Sequence, residues 1–284
     1  MLGHLKDAGE CHLRLQVSMS GRFGTCYGDP AISHRNLLST FVKHEHENQE
    51  STEWDGLLPA AAHLILRQHA CQNGLTSSQQ SMIRWNVYNH EVKDQNLPYS
   101  LLMPILCELE NSDPHLLQEE KFASEGFCAF REGCFQSFVH LRLRYPANAI
   151  ATPKRLESFL RCLVQVMKSK SMNIFLQEDI NTFVVRPIQE GNIIWFNETN
   201  TKLKEKEGQG FRSLLTLIEA VTDDLKNCLN YYRPLFKRFL DVDIFTTSFS
   251  QFETLIAVLT QSMLTDALGG SMTMQTSSNF EESE

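Results

Sequence analysis

The residues able to ligate a metal or attack a carbonyl are ten histidines and eight cysteines in a chain of 284 residues. All the histidines precede residue 141, and His44-Glu45-His46 is their tightest cluster. Two imidazoles two residues apart cannot share a helix face, and a structural zinc needs two further ligands. That cluster reads as a solvated helix end running into HENQESTE. Cys128 and Cys134, six apart in CAFREGC, lack the Cys-x-x-Cys spacing of zinc ribbons and redox sites. Interleaved with Phe127, Phe130, Phe135 and Phe138, both read as core residues. A thiol enzyme needs a thiolate activated by a nearby base. Cys71 follows His69 by two residues and Cys11 precedes His12, but neither sits in a local signature. The chain contains no Gly-x-Ser-x-Gly elbow, Walker loop, Gly-x-Gly-x-x-Gly or His-Glu-x-x-His. Asp241-Val-Asp243 resembles a metal-binding Asp pair, yet it closes the Phe-rich run YYRPLFKRFLDVDIF and reads as a helix end. Gly21-Arg-Phe-Gly24 has the spacing of a backbone-clamping loop in some RNA-binding modules, a four-residue match without context. No catalytic residue, metal or cofactor is assigned.

Binding chemistry is better represented. Lys154, Arg161 and Lys168 recur at seven-residue steps on one face, with Lys170 close by, and Arg233, Lys237 and Arg238 lie on a second basic segment. Tyr231-Tyr232-Arg233-Pro234-Leu235-Phe236 gathers residue types that dominate interface energetics. The candidate partner-binding residues are therefore Lys154, Arg161, Lys168, Tyr231, Tyr232, Arg233, Phe236 and Lys237. The bland alternative makes the cations solvated helix backs and the aromatics core.

Charge narrows the partner. Net charge is −8, but 12 basic face 17 acidic residues up to Ile150, 14 face 12 from Ala151 to Ser250, and 0 face 5 thereafter. An acidic chain without a dense Lys/Arg run is poorly suited to holding nucleic acid by phosphate neutralisation. The relatively basic 151–250 region keeps a nucleic-acid-associated factor as the alternative to a protein-binding surface.

Helical stripes position these residues. An Ala/Leu-rich run from Leu57 to Cys71 stops at Asn73-Gly74, and Thr76-Ser-Ser-Gln79 opens the next helix as a capping box. Asp113-Pro114 and Thr152-Pro153 each mark a helix start. After Thr152, residues Leu156, Phe159, Leu160, Leu163, Val166 and Met167 fall on one stripe. Phe211, Leu214, Leu215, Ile218, Val221, Leu225 and Leu229 form another that closes before Pro234. Phe252, Leu255, Ile256, Leu259 and Met263 form the last, ending at Gly269-Gly270. Two places depart from helix: Cys11–Val17 alternates like a half-buried strand, and TFVVRPIQEGNIIWFN (182–197) reads as a β-hairpin or as a helix with a long loop. Glu198–Gly210, polar and highly charged, reads as an exposed loop.

The fold class expected is mainly α, an irregular helical bundle or HEAT-like α-solenoid with at most a small hairpin near 182–197. Residues 1–35 form an irregular N-terminal segment. Residues 36–268 form the helical domain, with possible lobes at 36–150 and 151–268, and 269–284 a disordered acidic tail. The apolar share of 42% suits an ordinary globular chain. With no secretory signal and no span of membrane length, the chain is expected to be intracellular, cytoplasmic or nuclear, with its cysteines reduced. The pattern resembles helical-repeat scaffolds as an architectural class. It implies a non-enzymatic adaptor or a subunit of a larger complex with protein partners; a cysteine-dependent enzyme using Cys71 or Cys128 is the remote alternative.

Overall fold

A computed structural model of the chain describes residues 29–48, 54, 56–94, 99–110, 121–149, 152–168, 179–208 and 210–278. In chain order the helices are α1 (Pro30–Glu47), α2 (Ala60–Gln72), α3 (Ser77–Asp94), α4 (Met103–Glu110), α5 (Lys121–Val139), the single turn α6 (Leu141–Arg144), α7 (Thr152–Lys168), α8 (Ile180–Glu207), α9 (Phe211–Asn227), α10 (Arg233–Leu240) and α11 (Ile244–Ser278). A 3-10 turn at Tyr99–Leu102 leads into α4. No strand occurs among the described residues, and the architecture is an irregular helical bundle. The strand expected at Cys11–Val17 and the helix start at Asp113-Pro114 lie outside the described residues.

Local signals account for several boundaries. Gly74 adopts φ 66°, and Leu75 N–H donates to the Ala70 carbonyl at 3.0 Å while Gly74 N–H donates to Cys71 at 3.4 Å. These two bonds make a Schellman stop, in which glycine avoids the Cβ penalty of left-handed backbone. Thr76 and Gln79 then satisfy each other's amides: Thr76 N–H donates to Gln79 Oε1 at 3.0 Å and Gln79 N–H to Thr76 Oγ1 at 3.2 Å. The capping box read from sequence is thus formed. The α7 stripe is buried along its length, with Leu156, Phe159, Leu160, Leu163 and Val166 all at 0% exposure.

The hairpin expected at 182–197 is a helix, part of the 28-residue α8. Its buried positions, Phe183, Val184, Pro187, Ile188, Gly191, Asn192 and Phe196, keep helical spacing. An interior proline costs about 3 kcal/mol and a glycine about 1. Burial of Phe183, Val184, Ile188 and Phe196 returns roughly 1.5–3 kcal/mol each, so packing outweighs local preference. Gly191 sits where α5 crosses α8, and a Cβ there would lie 2.2 Å from the Val139 carbonyl oxygen. The charged stretch expected as a loop after Glu198 continues the same helix, supported by a Lys202–Glu198 pair at 3.8 Å, and ends at Gly208 with φ 79°. Likewise α11 runs through Gly269-Gly270 to Ser278.

Helix α8 is the spine. It packs on α5 along one side and on α9 and α11 along the other, while α3 joins α1, α4 and α5, and α7 rests on α10. The main core runs through these layers as a chain of aromatic contacts. Trp85 meets Phe130 (5.3 Å), Tyr99 meets Phe159 (4.9 Å), and Phe138 meets Phe159, Phe183 and Phe236 (5.3, 6.2 and 5.7 Å). A smaller core, Phe196, Leu217, Val221 and Phe252, holds the far half of α8 against α9 and α11. The six described cysteines are free thiols. Cys134 is in the core as expected, whereas Cys128 is exposed, correcting that part of the reading, because the edge of α5 carrying it faces solvent.

Pro234 does not end the helix that carries the stripe of residues 211–229. Between α9 and α10 the chain forms a π-turn, Cys228–Tyr232, and Arg233 N–H donates to the Cys228 carbonyl five residues back. Proline cannot donate and crowds the carbonyl four residues earlier. The wider turn just before it lets the helix pass through with one extra residue.

Candidate partner-binding face

Arg161 and Arg238 are brought together because α7 and α10 pack side by side. Lys154, Arg155, Arg161 and Lys168 on α7 and Arg233, Lys237 and Arg238 on α10 are set against Glu157 as the acidic residue of these two helices. At the centre, Phe239 is covered by two guanidiniums. Arg161 Cζ lies 5.4 Å and Arg238 Cζ 5.1 Å from its ring centroid. Glu157 ties them together, accepting from Arg161 Nη2 at 2.7 Å and standing 3.9 Å from Arg238 Nη1. The ring quadrupole attracts each cation at these distances.

The candidates distribute unequally. Lys154, Arg161, Lys168 and Lys237 are exposed on this face, with Lys237 Nζ 2.6 Å from Asp241. Arg233 is turned toward α11, making a two-pronged pair with Asp243 at 2.9 and 3.1 Å and lying over Phe245. Asp243 also accepts the Phe245 and Thr246 amides, capping α11. The hydrogen bond from Arg233, then the capping amides, hold its carboxyl below the usual range despite an opposing contribution from burial. Tyr231 is half-buried, its ring edge-on to Tyr232 at 5.4 Å. Tyr232 and Phe236 belong to the core and leave the surface set: Tyr232 donates to the Tyr145 carbonyl at 2.7 Å, and Phe236 is 0% exposed. Their apolar bodies are what seat α10. Sequence reasoning missed the pairing of Arg161 with Arg238 over Phe239. The one local signal was Glu157 four residues before Arg161.

The other features singled out in sequence resolve as helix ends. His44-Glu45-His46 is the last turn of α1, with His44 Nδ1 3.3 Å from Glu45. Asp241 adopts φ 57° to terminate α10.

A buried polar network braces the bundle behind this face. Arg142 on α6 grips Asp224 on α9 with two bonds of 2.7 and 2.8 Å and donates to Asn192 on α8 at 2.7 Å. Asn192 in turn donates to Ser248 (3.1 Å) and Gln251 (2.9 Å) on α11. The Arg142 guanidinium is roofed by Trp195 and Phe252, at 5.1 and 5.7 Å. Beside it, burial first and the Asp224 carboxylate second push the Cys228 thiol up to about 12. That thiol is protonated at neutral pH and a poor nucleophile.

The fold and this face define a mainly α-helical bundle with a basic, aromatic-backed surface. Among the described residues no group of three or more metal-ligating side chains is gathered, and no helix is long and apolar enough to cross a membrane. No protein-family model matches the chain. Over 96% of its length it is 30% identical to human BAI1-associated protein 3, and over 88% it is 27% identical to human protein unc-13 homolog D. It is also 20% identical over 81% of its length to unc-13 homolog 4B of Drosophila melanogaster. The chain spans about a quarter of the length of these curated relatives.

Proposed function

We propose that this chain is a non-enzymatic, protein-binding helical segment, an adaptor or part of a larger intracellular assembly, and that its α7–α10 face receives an acidic surface of a protein partner. The observation that carries the reading is the pair Arg161 and Arg238 laid over Phe239, with Lys154, Lys168 and Lys237 exposed around it in a chain of net charge −8. Preordered cations on an aromatic platform form a patch complementary to carboxylates, and such complementarity sets encounter rate and register. The similarity to a relative whose name records association with another protein points the same way.

The test is affinity capture of the tagged chain at low salt after nuclease treatment, with crosslinking and mass spectrometry. A reproducible partner crosslinked through Lys154, Lys168 or Lys237 is expected. The triple reversal Lys154→Glu, Arg161→Glu, Lys168→Glu should weaken it about ten-fold or more. Capture indifferent to the reversal refutes the face, and capture that disappears with nuclease favours the nucleic-acid alternative.

A further inference from the structure

Helices α1 and α2 meet through two histidines. His34 Nδ1 stands 3.2 Å from His69 Nδ1, across 35 residues of sequence. The ring centroids are 5.3 Å apart and the planes tilted by 38°, so the two nitrogens face each other between the rings and the rings do not stack. His34 is 2% exposed, whereas His69 is half-buried. Asn73, whose Nδ2 lies 3.5 Å from the same His69 nitrogen, is exposed. The pair is therefore closed by the bundle on one edge and reached by water on the other. Buried neighbours fix both rings in advance: Leu38 one turn along α1 from His34, and Leu66 and Ala70 on either side of His69.

As a hydrogen bond, this contact needs one ring in its Nδ1–H tautomer and the other with its lone pair free. As a chelate it needs both Nδ1 lone pairs, which the donor ring supplies by moving its proton to Nε2. No net proton is released between neutral rings. Burial first and His69 second hold the His34 pKa below its ordinary value, which keeps that ring in the neutral form that metals bind. With Zn–N bonds of about 2.0–2.1 Å, the 3.2 Å separation gives an N–Zn–N angle of about 100–106°, close to tetrahedral. Among the described residues no cluster of three or more His, Cys, Asp or Glu is gathered, so water takes the remaining positions. Imidazole nitrogens suit zinc, copper and nickel, while magnesium and calcium require oxygen ligands.

We propose that His34 and His69 form a two-imidazole site for a divalent transition-metal ion, zinc, which pins α1 to α2 and carries water on its open side. The site shares no helix with the α7–α10 face, so reversing charges there leaves it intact.

The experiment is thermal unfolding of the chain with zinc sulfate, against magnesium sulfate at the same concentrations. Zinc at ten times its dissociation constant should raise Tm by roughly 3–6 °C in a chain of this size, and magnesium should not. The rise should vanish in His34→Gln and in His69→Gln, each compared with its own zinc-free Tm. It should persist in His63→Gln, an exposed histidine of the same helix α2. If either pair variant fails to fold, the absorption spectrum of the unaltered chain with cobalt(II) replaces it. Visible bands of a four-coordinate ion without a thiolate charge-transfer band are expected; a thiolate band assigns the ion to the exposed cysteines and overturns the site. No rise with zinc, an equal rise with magnesium, a rise that survives His34→Gln or His69→Gln, or one lost equally in His63→Gln also overturns it.

Discussion

Removing the Asp224 carboxylate should be among the most damaging single substitutions in the chain. Asp224→Ala leaves the Arg142 guanidinium between Trp195 and Phe252 with one remaining acceptor among the described residues, Asn192 Oδ1 at 2.7 Å. The side chains of Arg142 and Asp224 are 20% and 10% exposed, so solvent screens the loss only slightly. Breaking one partner of a buried pair costs about 3–5 kcal/mol, and the residual exposure of Arg142 puts this case near the lower end, about 3. For a chain of this size that corresponds to a fall in Tm of roughly 6–12 °C. The control is Asp223→Ala one residue earlier, where the pair with Lys226 is 73% and 65% exposed on its two sides; that change should be nearly silent. The replacement Arg142→Met with Asp224→Leu tests the reason for the loss. If the penalty is an uncompensated buried charge, this double variant is more stable than Asp224→Ala alone. Urea or thermal unfolding of the four proteins decides it. Equal effects at Asp223 and Asp224, or a double variant worse than the single, would refute the assignment.

Two further outcomes follow from other contacts. Gly191→Ala should destabilise although alanine is the better helix former: the propensity gain is about 1 kcal/mol, while a Cβ 2.2 Å from the Val139 oxygen forces the α5–α8 crossing apart, costing about 1–3 or more, as a lowered urea midpoint would show. His34, 2% exposed and with Nδ1 3.2 Å from that of His69, has its pKa held below the ordinary 6.5 by burial first and by His69 second. The unfolded chain then binds more protons, so this contribution is complete above pH 6.5 and is lost as pH falls below it toward the folded value. His34→Gln should flatten Tm between pH 7 and 5, and an unchanged slope would assign the acid sensitivity elsewhere.

Where a helix announces itself by an unbroken apolar stripe and its own caps, as α7 and the Thr76–Gln79 box do, sequence and structure agree. At 182–197 the helical stripe was present but disguised. Its positions 187, 191 and 192 are Pro, Gly and Asn, and the flanking runs Phe183-Val184-Val185 and Ile193-Ile194-Trp195-Phe196 are β-branched or aromatic, so local preference spoke for strand. What favours helix there is the approach of α5 to Gly191, a contact between segments about fifty residues apart. The Glu198–Glu207 stretch misled for the opposite reason: one side of a long helix beyond the main core needs few apolar residues. The basic face was half legible. Seven-residue spacing set Lys154, Arg161 and Lys168 together, but the partnership of Arg161 with Arg238 depends on how two distant helices meet. The Arg142–Asp224 clamp joins residues 82 apart and left no local trace.

The π-turn at Cys228–Tyr232 works as a phase shifter. One residue beyond the α-helical repeat turns everything after it by about 100° relative to α9. That rotation carries Phe236 inward onto Phe138 and swings Lys237 and Arg238 round to the side where α7 presents Arg161. The same eight residues of α10 threaded onto an uninterrupted helix would keep their composition and lose their alignment, with the ring facing water and the cations aimed away from their neighbours. The electropositive surface is thus written in the register of the backbone as much as in the choice of side chains, and a single-residue deletion in the turn would erase it without removing one charge.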